Sequence, residues 1–147
     1  MKNFDNLTTQ RLQFFVTNDI NIDENVSESV KRLISEISTM NEWIISPPSF
    51  IDTVESIEGD LIKIVGGYLE IYSALDQELP YDIDAKNFEE VNLVINKLRE
   101  LSKKSNLNFE LYLDDTFVGE VIDGEIDHLL QVGLINEWKK MLLKTTR

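Results

Sequence analysis

The chain has 147 residues, no cysteine and a formal net charge of −13, from 27 acidic and 14 basic residues. The absence of cysteine excludes disulfides, thiolate metal sites and cysteine nucleophiles. The negative charge argues against nucleic acid or an anionic membrane as a direct partner, because neutralising phosphates requires lysine and arginine. A hydrophobic fraction of 42% is typical of a globular chain, and we expect one domain over residues 1–147.

The sequence shows no sign of export or membrane insertion. Its first residues, MKNFDNLTTQRLQFFV, contain no apolar stretch followed by a small-residue cleavage site. The longest apolar runs are far shorter than a membrane span. We therefore expect a cytoplasmic protein, which the lack of cysteine suits.

The first elements in chain order are a short alternating segment and a helix. Leu12, Phe14 and Val16 alternate with polar residues as in a strand, although residues 8–19 are equally compatible with a helix. Asn25 and Glu28 resemble a capping box, and Pro47-Pro48 would stop the helix. The helix is predicted from apolar residues at three- and four-residue spacing: Val26, Val30, Leu33, Ile34, Ile37, Met40 and Ile44.

A meander of three strands is predicted next, over residues 51–57, 60–65 and 68–72. Glu58-Gly59 is a turn signal, and Gly66-Gly67 indicates a bulge or a second turn. Tyr68, Tyr72 and Tyr112 lie on predicted strand faces near acidic residues. Such tyrosines usually pack on a sheet, but tyrosine surrounded by carboxylates is also typical of protein-binding surfaces.

The last part of the chain predicts a helix over residues 88–104, a hairpin and a third helix. Asn87 and Glu90 are the start signals of the first of these helices. Residues 107–113 alternate as in a strand, Asp114-Asp115 indicates a tight turn, and residues 116–122 predict the second strand. The third helix is predicted to begin near Asp127, and Gly133 would divide it into two short helices.

Together these elements predict an α+β fold. We expect a mainly antiparallel sheet of about five strands with three helices packed on one face. Trp43, Leu98 and Trp138 lie on the apolar stripes of their predicted helices and are expected to be buried.

No motif indicates catalysis, a metal or a cofactor. The runs from Asp19 to Asp23 and from Asp123 to Asp127 have the first spacings of a calcium loop, but both lack the required glycine and glutamate. The lone histidine, His128, has no nucleophile in a recognisable context and is expected at the surface. Val-Gly-Gly-Tyr at residues 65–68 is too short for a phosphate-binding loop. We expect no catalytic residue, metal or cofactor, although a pair of catalytic carboxylates leaves no trace in a sequence.

One acidic stretch stands out. Residues 105–137 contain no lysine or arginine. A surface for a basic protein partner is predicted within it, and its candidate residues are Tyr112, Asp114, Asp115, Glu120, Asp123, Glu125 and Asp127. Asp123 or Asp127 is also a candidate helix cap. Asp114 and Asp115 have no predicted duty beyond forming a turn, so replacing both with asparagine is expected to leave the fold intact and to slow association with the partner.

The small, acidic, cysteine-free chain resembles the immunity proteins encoded beside bacterial contact-dependent inhibition and other polymorphic toxins. Phe-Val-Gly-Glu-Val-Ile-Asp-Gly-Glu at residues 117–125 and Gly-Leu-Ile-Asn-Glu-Trp at residues 133–138 look like segments of small bacterial domains of that kind. The resemblance implies a protein that binds and neutralises a cognate toxin domain, for example a nuclease with a basic substrate groove.

Two other functions are compatible with the sequence. A DNA-mimicking inhibitor would use the same charge and bind several unrelated DNA-binding enzymes, such as restriction enzymes, whereas an immunity protein binds one toxin. An enzyme with working carboxylates would enclose them in a deep pocket and shift their pKa values.

Overall fold

The computed structural model of the protein describes residues 7–17, 22–73 and 78–145. In that part of the chain six strands form one antiparallel sheet with the order β2-β3-β1-β4-β5-β6. The strands are β1 (Thr9–Val16), β2 (Ser49–Ile57), β3 (Asp60–Tyr72), β4 (Phe109–Leu113), β5 (Thr116–Ile122) and β6 (Glu125–Ile126). The helices are α1 (Glu24–Ser38), α2 (Tyr81–Ser105) and a π-helical segment (Leu129–Asn136) that continues into α3 (Glu137–Thr145). The predicted α+β class is confirmed, with six strands rather than five.

The first predicted element is a strand. β1 lies in the sheet between β3 and β4, with Leu12 opposite Leu69 on one side and Leu113 on the other. Its alternation of buried Leu12, Phe14 and Val16 with less buried residues matches the period of a strand and excludes the helical alternative. The predicted range also includes Asn18 and Asp19, which lie outside the described residues.

Helix α1 begins two residues earlier than predicted and ends well before the prolines. Its N-cap is Asp23, whose side chain accepts a hydrogen bond from the Val26 backbone N–H at 3.1 Å. The helix ends at Ser38, so Met40 and Ile44 of the predicted stripe lie in the following loop. Trp43 of this loop packs on the core, whereas Met40 is 48% exposed, so the apolar spacing beyond Ser38 did not mark a helical face.

Strand β3 is continuous through Gly66 and Gly67, so the predicted bulge or second turn is wrong. Both glycines pair with β1 and with β2 at the same time. A Cβ atom at Gly67 would lie 2.5 Å from the Ser49 carbonyl oxygen and 2.7 Å from Ile34 Cδ1. Glycine is therefore needed at these positions because groups of the neighbouring strands and of α1 approach the backbone closely, and not because the strand turns there.

Helix α2 starts seven residues before the predicted position. Its N-cap is Pro80, and Asp82 and Asp84 occupy the first turn, where carboxylates are favoured by the helix dipole. Asn87 does not cap the helix: its side-chain amide is buried and donates to the Tyr72 carbonyl oxygen at 3.1 Å. The predicted start signal is therefore wrong: the Asn87 side chain bonds to a strand carbonyl and not to the first turn of the helix.

The third helical region runs on through Gly133, so the predicted break there is wrong. The change from π-helix to α-helix occurs at Asn136 and Glu137. Leu98 is fully buried as predicted, but both tryptophans are only half-buried. Each indole N–H reaches a polar acceptor near the surface, the Ser38 carbonyl for Trp43 and the Asp84 carboxylate for Trp138.

The helices cover one face of the sheet. Alternate strand residues and the apolar sides of α1 and α2 form one core that includes Phe14, Leu69, Phe109, Val94 and Leu98. In the described part of the chain, every helix is too short or too polar to cross a lipid bilayer. The strand residues of the opposite parity point to the other face, on which none of the described helices packs.

Candidate functional site

The helix-free face of the sheet carries a row of aromatic side chains. The strand register places Gln13 opposite both Tyr68 and Tyr112, and Tyr112 opposite Phe117. We call Tyr68, Gln13, Tyr112 and Phe117 the aromatic row. The Tyr112 ring lies 5.6 Å from that of Phe117, measured between centroids, and 6.2 Å from that of Phe15 in the adjacent position of β1. The rings are therefore packed together and hold one another in place.

Two carboxylates lie beside the aromatic row. Glu110 and Glu120 are directly opposite each other on β4 and β5, on the same face as Tyr112. Among the described residues, neither of them forms an ion pair with lysine or arginine. Like charges in this arrangement repel each other, so the pair favours a nearby positive charge.

Tyr112 links the aromatic row to these carboxylates. Its hydroxyl donates a hydrogen bond to Glu110 Oε1 at 2.7 Å. This hydrogen bond to the carboxylate, together with partial burial, raises the pKa of Tyr112 above its ordinary value. The phenol therefore stays protonated and fixes the Glu110 side chain against the ring.

Arg11 is the base on the opposite side of the aromatic row. Its guanidinium carbon lies 4.1 Å above the Tyr68 ring, and its Nη2 lies 3.8 Å from Glu70 Oε1. Arg11 thus offsets the negative charge of Glu70 at the Tyr68 end of the face. The end with Glu110 and Glu120 keeps its negative charge.

The seven residues predicted to bind a partner do not form one cluster. Asp114 and Asp115 form the turn before β5, whereas Asp123 lies in the turn after β5 and Glu125 directly follows that turn. These turns are ~20 Å apart, because a strand rises ~3.3 Å per residue. Tyr112 and Glu120 lie on the helix-free face between the two ends.

Asp114 has a structural role that its turn position did not reveal. Its Oδ1 accepts a hydrogen bond from the Arg11 backbone N–H at 2.9 Å, and its own backbone N–H donates to the Arg11 carbonyl. Its carbonyl accepts from the Gln13 side chain at 2.8 Å. The expectation that Asp114 only forms a turn is therefore wrong, while Asp115 is exposed and free of such bonds in the described structure.

Asp127 is also a structural residue. Its Oδ1 accepts from the backbone N–H groups of Glu120 at 3.2 Å and Leu130 at 3.0 Å. It therefore ties β5 to the start of the π-helical segment, as one of the two predicted helix caps. Its carboxylate is committed to these donors and is a poor candidate for contact with a partner.

A groove of about 960 Å³ adjoins the aromatic row on the same face. Phe15 and Gln13 form one side of it, and residues of the β2–β3 hairpin form the other. Its hairpin side is mainly aliphatic, with Ile51, Ile62 and Ile64. The predicted site did not include Phe15 and Phe117. The sequence carried a signal for Phe15, because it is out of phase with Leu12, Phe14 and Val16 and must therefore point to the opposite face of the strand.

The described residues show little sign of a catalytic or metal site. They contain no group of three or more aspartate, glutamate or histidine side chains arranged to hold a metal ion. His128 is exposed. Among the described carboxylates, burial raises the pKa of Glu90, whose side chain lies under the loop after α1 and accepts from the Ile44 N–H at 2.9 Å.

Comparison of the chain with models of known protein families, with curated proteins and with solved structures finds no match.

Proposed function

We propose that the protein is an immunity protein, which binds a cognate bacterial toxin domain in the cytoplasm and neutralises it. The observation that carries the proposal is the helix-free face, where packed aromatic rings lie beside Glu110 and Glu120, two carboxylates without an ion pair to any described residue. Tyrosine and phenylalanine anchors provide affinity at protein interfaces, and surrounding charge provides fast and selective association.

The charge of the chain defines the kind of partner. A net charge of −13 attracts a basic protein and repels nucleic acid. Toxin domains that cleave nucleic acids need a basic substrate groove. An acidic protein seated over such a groove would exclude the substrate, so binding alone would neutralise the toxin without any catalysis.

The first test is whether a toxin domain is encoded directly upstream of this gene, and the second is co-expression of the protein with such a domain. Bacteria that express the toxin domain should stop growing, and the wild-type protein should restore growth. Neutralisation of one toxin only would separate an immunity protein from a DNA-mimicking inhibitor, which should act on several DNA-binding enzymes. If the protein neither restores growth nor binds the purified toxin domain, the proposal is wrong.

Charge-matched variants locate the surface. Glu110→Gln with Glu120→Gln should lower the association rate constant by ~10-fold at low ionic strength and flatten its dependence on salt. Glu28→Gln with Glu36→Gln removes the same charge from the exposed side of α1. Equal rates for both double variants would show that the helix-free face is not the binding surface.

A further inference from the structure

The two edges of the sheet are unlike each other. The edge strand β6 has two residues and packs beside α2. The other edge strand, β2, has nine residues and contains neither proline nor lysine. Short strands, prolines and lysines are the usual means by which proteins prevent strands from adding to a sheet edge. In the described part of the chain, the β6 edge is therefore closed and the β2 edge is open.

The distal half of β2 belongs to a hairpin that extends beyond the rest of the sheet. β1 pairs with β3 only from Gly66 onward, so among the described strands the part of β3 before it pairs with β2 alone. Apolar side chains on this hairpin are open to solvent, with Val54 60% and Leu61 77% exposed. These exposed residues lie next to unpaired backbone.

The turn of the hairpin shows which backbone groups are free. Glu58 and Gly59 both have positive φ, 52° and 86°, which defines a two-residue type I′ turn. The flanking pair Ile57 and Asp60 is then hydrogen-bonded, and the pairs alternate from there. The N–H and C=O groups of Ser56 and Val54 consequently point away from β3, and no other described residue hydrogen-bonds to them.

The charge of the hairpin discriminates between possible occupants of this edge. Its acidic residues Glu55, Glu58 and Asp60 have no ion pair among the described residues, and its lysine, Lys63, pairs with Asp52 at 3.7 Å. A second copy of the chain would bring like charges together across the new strand pair, which is destabilising. A basic strand would bring opposite charges together.

We propose that the β2 edge binds an extended basic segment of a partner protein as an additional antiparallel strand. Residues opposite each other in an antiparallel pair share a face. The added segment would therefore alternate, with an apolar residue opposite Val54 and lysine or arginine opposite Glu55. Backbone hydrogen bonds to Val54 and Ser56 would supply affinity, and the alternation would supply specificity. Glu55 lines the groove beside the aromatic row, but the inference rests on the free backbone groups and charge of this edge and does not depend on the proposed function.

The test uses a nine-residue peptide of alternating lysine and valine, capped at both ends. Amide hydrogen exchange on the full chain should slow at Val54 and Ser56 when the peptide is added, with no change at Thr53 and Glu55, whose amides already bond to β3. A peptide with glutamate in place of lysine, and a lysine–valine peptide with a central proline, should both leave exchange unchanged. Unchanged exchange with the lysine–valine peptide would overturn the inference.

Two variants separate strand addition from general charge attraction. Val54→Pro removes an outward N–H while leaving the pairing with β3, and proline is tolerated at such edge positions. Glu55→Lys reverses the charge without altering the backbone, and Glu28→Lys on α1 is its charge-matched control. Both hairpin variants should bind the peptide at least ~10-fold more weakly than the control. Equal binding by Glu55→Lys and Glu28→Lys would refute the proposal, even if Val54→Pro failed to fold.

The aromatic face has its own readout in the same assay. Glu110→Gln with Glu120→Gln should keep the slowed exchange at Val54 and Ser56, since these carboxylates lie across β3 and β1 from the edge. Loss of peptide binding in this variant would show that the peptide occupies the aromatic face instead of the edge.

Discussion

At the scale of single residues, Glu90 is the most deeply buried carboxylate in the described part of the chain. Its side chain is 1% exposed, and one of its oxygens, Oε1, has no hydrogen-bond partner in the structure. Burial raises the pKa of Glu90, against the opposing effects of the Ile44 N–H and the Lys86 charge. Folding therefore favours the protonated form of Glu90 relative to the unfolded chain.

This raised pKa predicts a stability change with pH. The folded state binds the Glu90 proton more tightly than the unfolded state, so stability due to this group is complete below the ordinary glutamate pKa. It is lost as the pH rises through the raised pKa. Glu90→Gln keeps an acceptor for the Ile44 N–H and cannot ionise, so its melting temperature should fall less than that of the wild type between acid and neutral pH.

The measurement is thermal unfolding of both proteins across this pH range, with the exposed Glu28→Gln as control. The control should follow the wild-type pH profile. Identical profiles for the wild type and Glu90→Gln would show that the group does not ionise differently on folding.

At the scale of elements, β3 depends on the absence of side chains at Gly66 and Gly67. Gly67→Ala places a Cβ atom against a backbone oxygen of β2 and the side chains of Ile34 and Phe14. We expect it to lower the free energy of unfolding by about 1–3 kcal/mol, as overpacking does. Urea unfolding measures the change, and Ser56→Ala on exposed β2 serves as a comparison. If Gly67→Ala were as stable as Ser56→Ala, the neighbours of Gly67 would be able to make room for the added methyl group without loss of stability, contrary to this expectation.

The elements also show what the sequence could and could not specify. Strand β5 and the inward side of β4 follow directly from alternation, because only one face of each strand is buried. The start of α2 could not be read from local signals, since Asn87 satisfies a distant strand carbonyl instead of its own helix. Likewise, the sequence Gly66-Gly67 looks the same whether the chain turns there or a neighbouring strand lies too close for a side chain, so the sequence alone could not decide between the two.

The candidate site was only partly predictable for a related reason. Alternation along β4 places Glu110 on the same face as Tyr112, but its position opposite Glu120 depends on the register of β4 and β5. Asp114 and Asp127 were assigned to the binding surface by their charge, yet backbone donors engage both side chains. A sequence gives the number of carboxylates; it does not give the N–H groups that the fold directs toward them.

At the scale of the whole molecule, the net charge of −13 should prevent direct binding to nucleic acid. Mobility-shift assays at low ionic strength, where phosphate contacts are strongest, should show no retardation of duplex or single-stranded DNA. A basic protein of similar size provides the positive control. Retardation of either DNA would contradict the inference that the partner is a protein.

The position of β1 has a consequence for how the chain assembles. The strand nearest the N-terminus occupies the middle of the sheet, and one of its neighbours, β4, comes from the last third of the chain. During synthesis one side of β1 stays unpaired until residues 109–113, which form β4, have been made. Pairing between such distant segments makes folding slow, because a large loop must close before the contacts form. The growing chain therefore exposes Leu12, Phe14 and Val16, which the folded protein buries, and it needs protection from aggregation until β4 has been made.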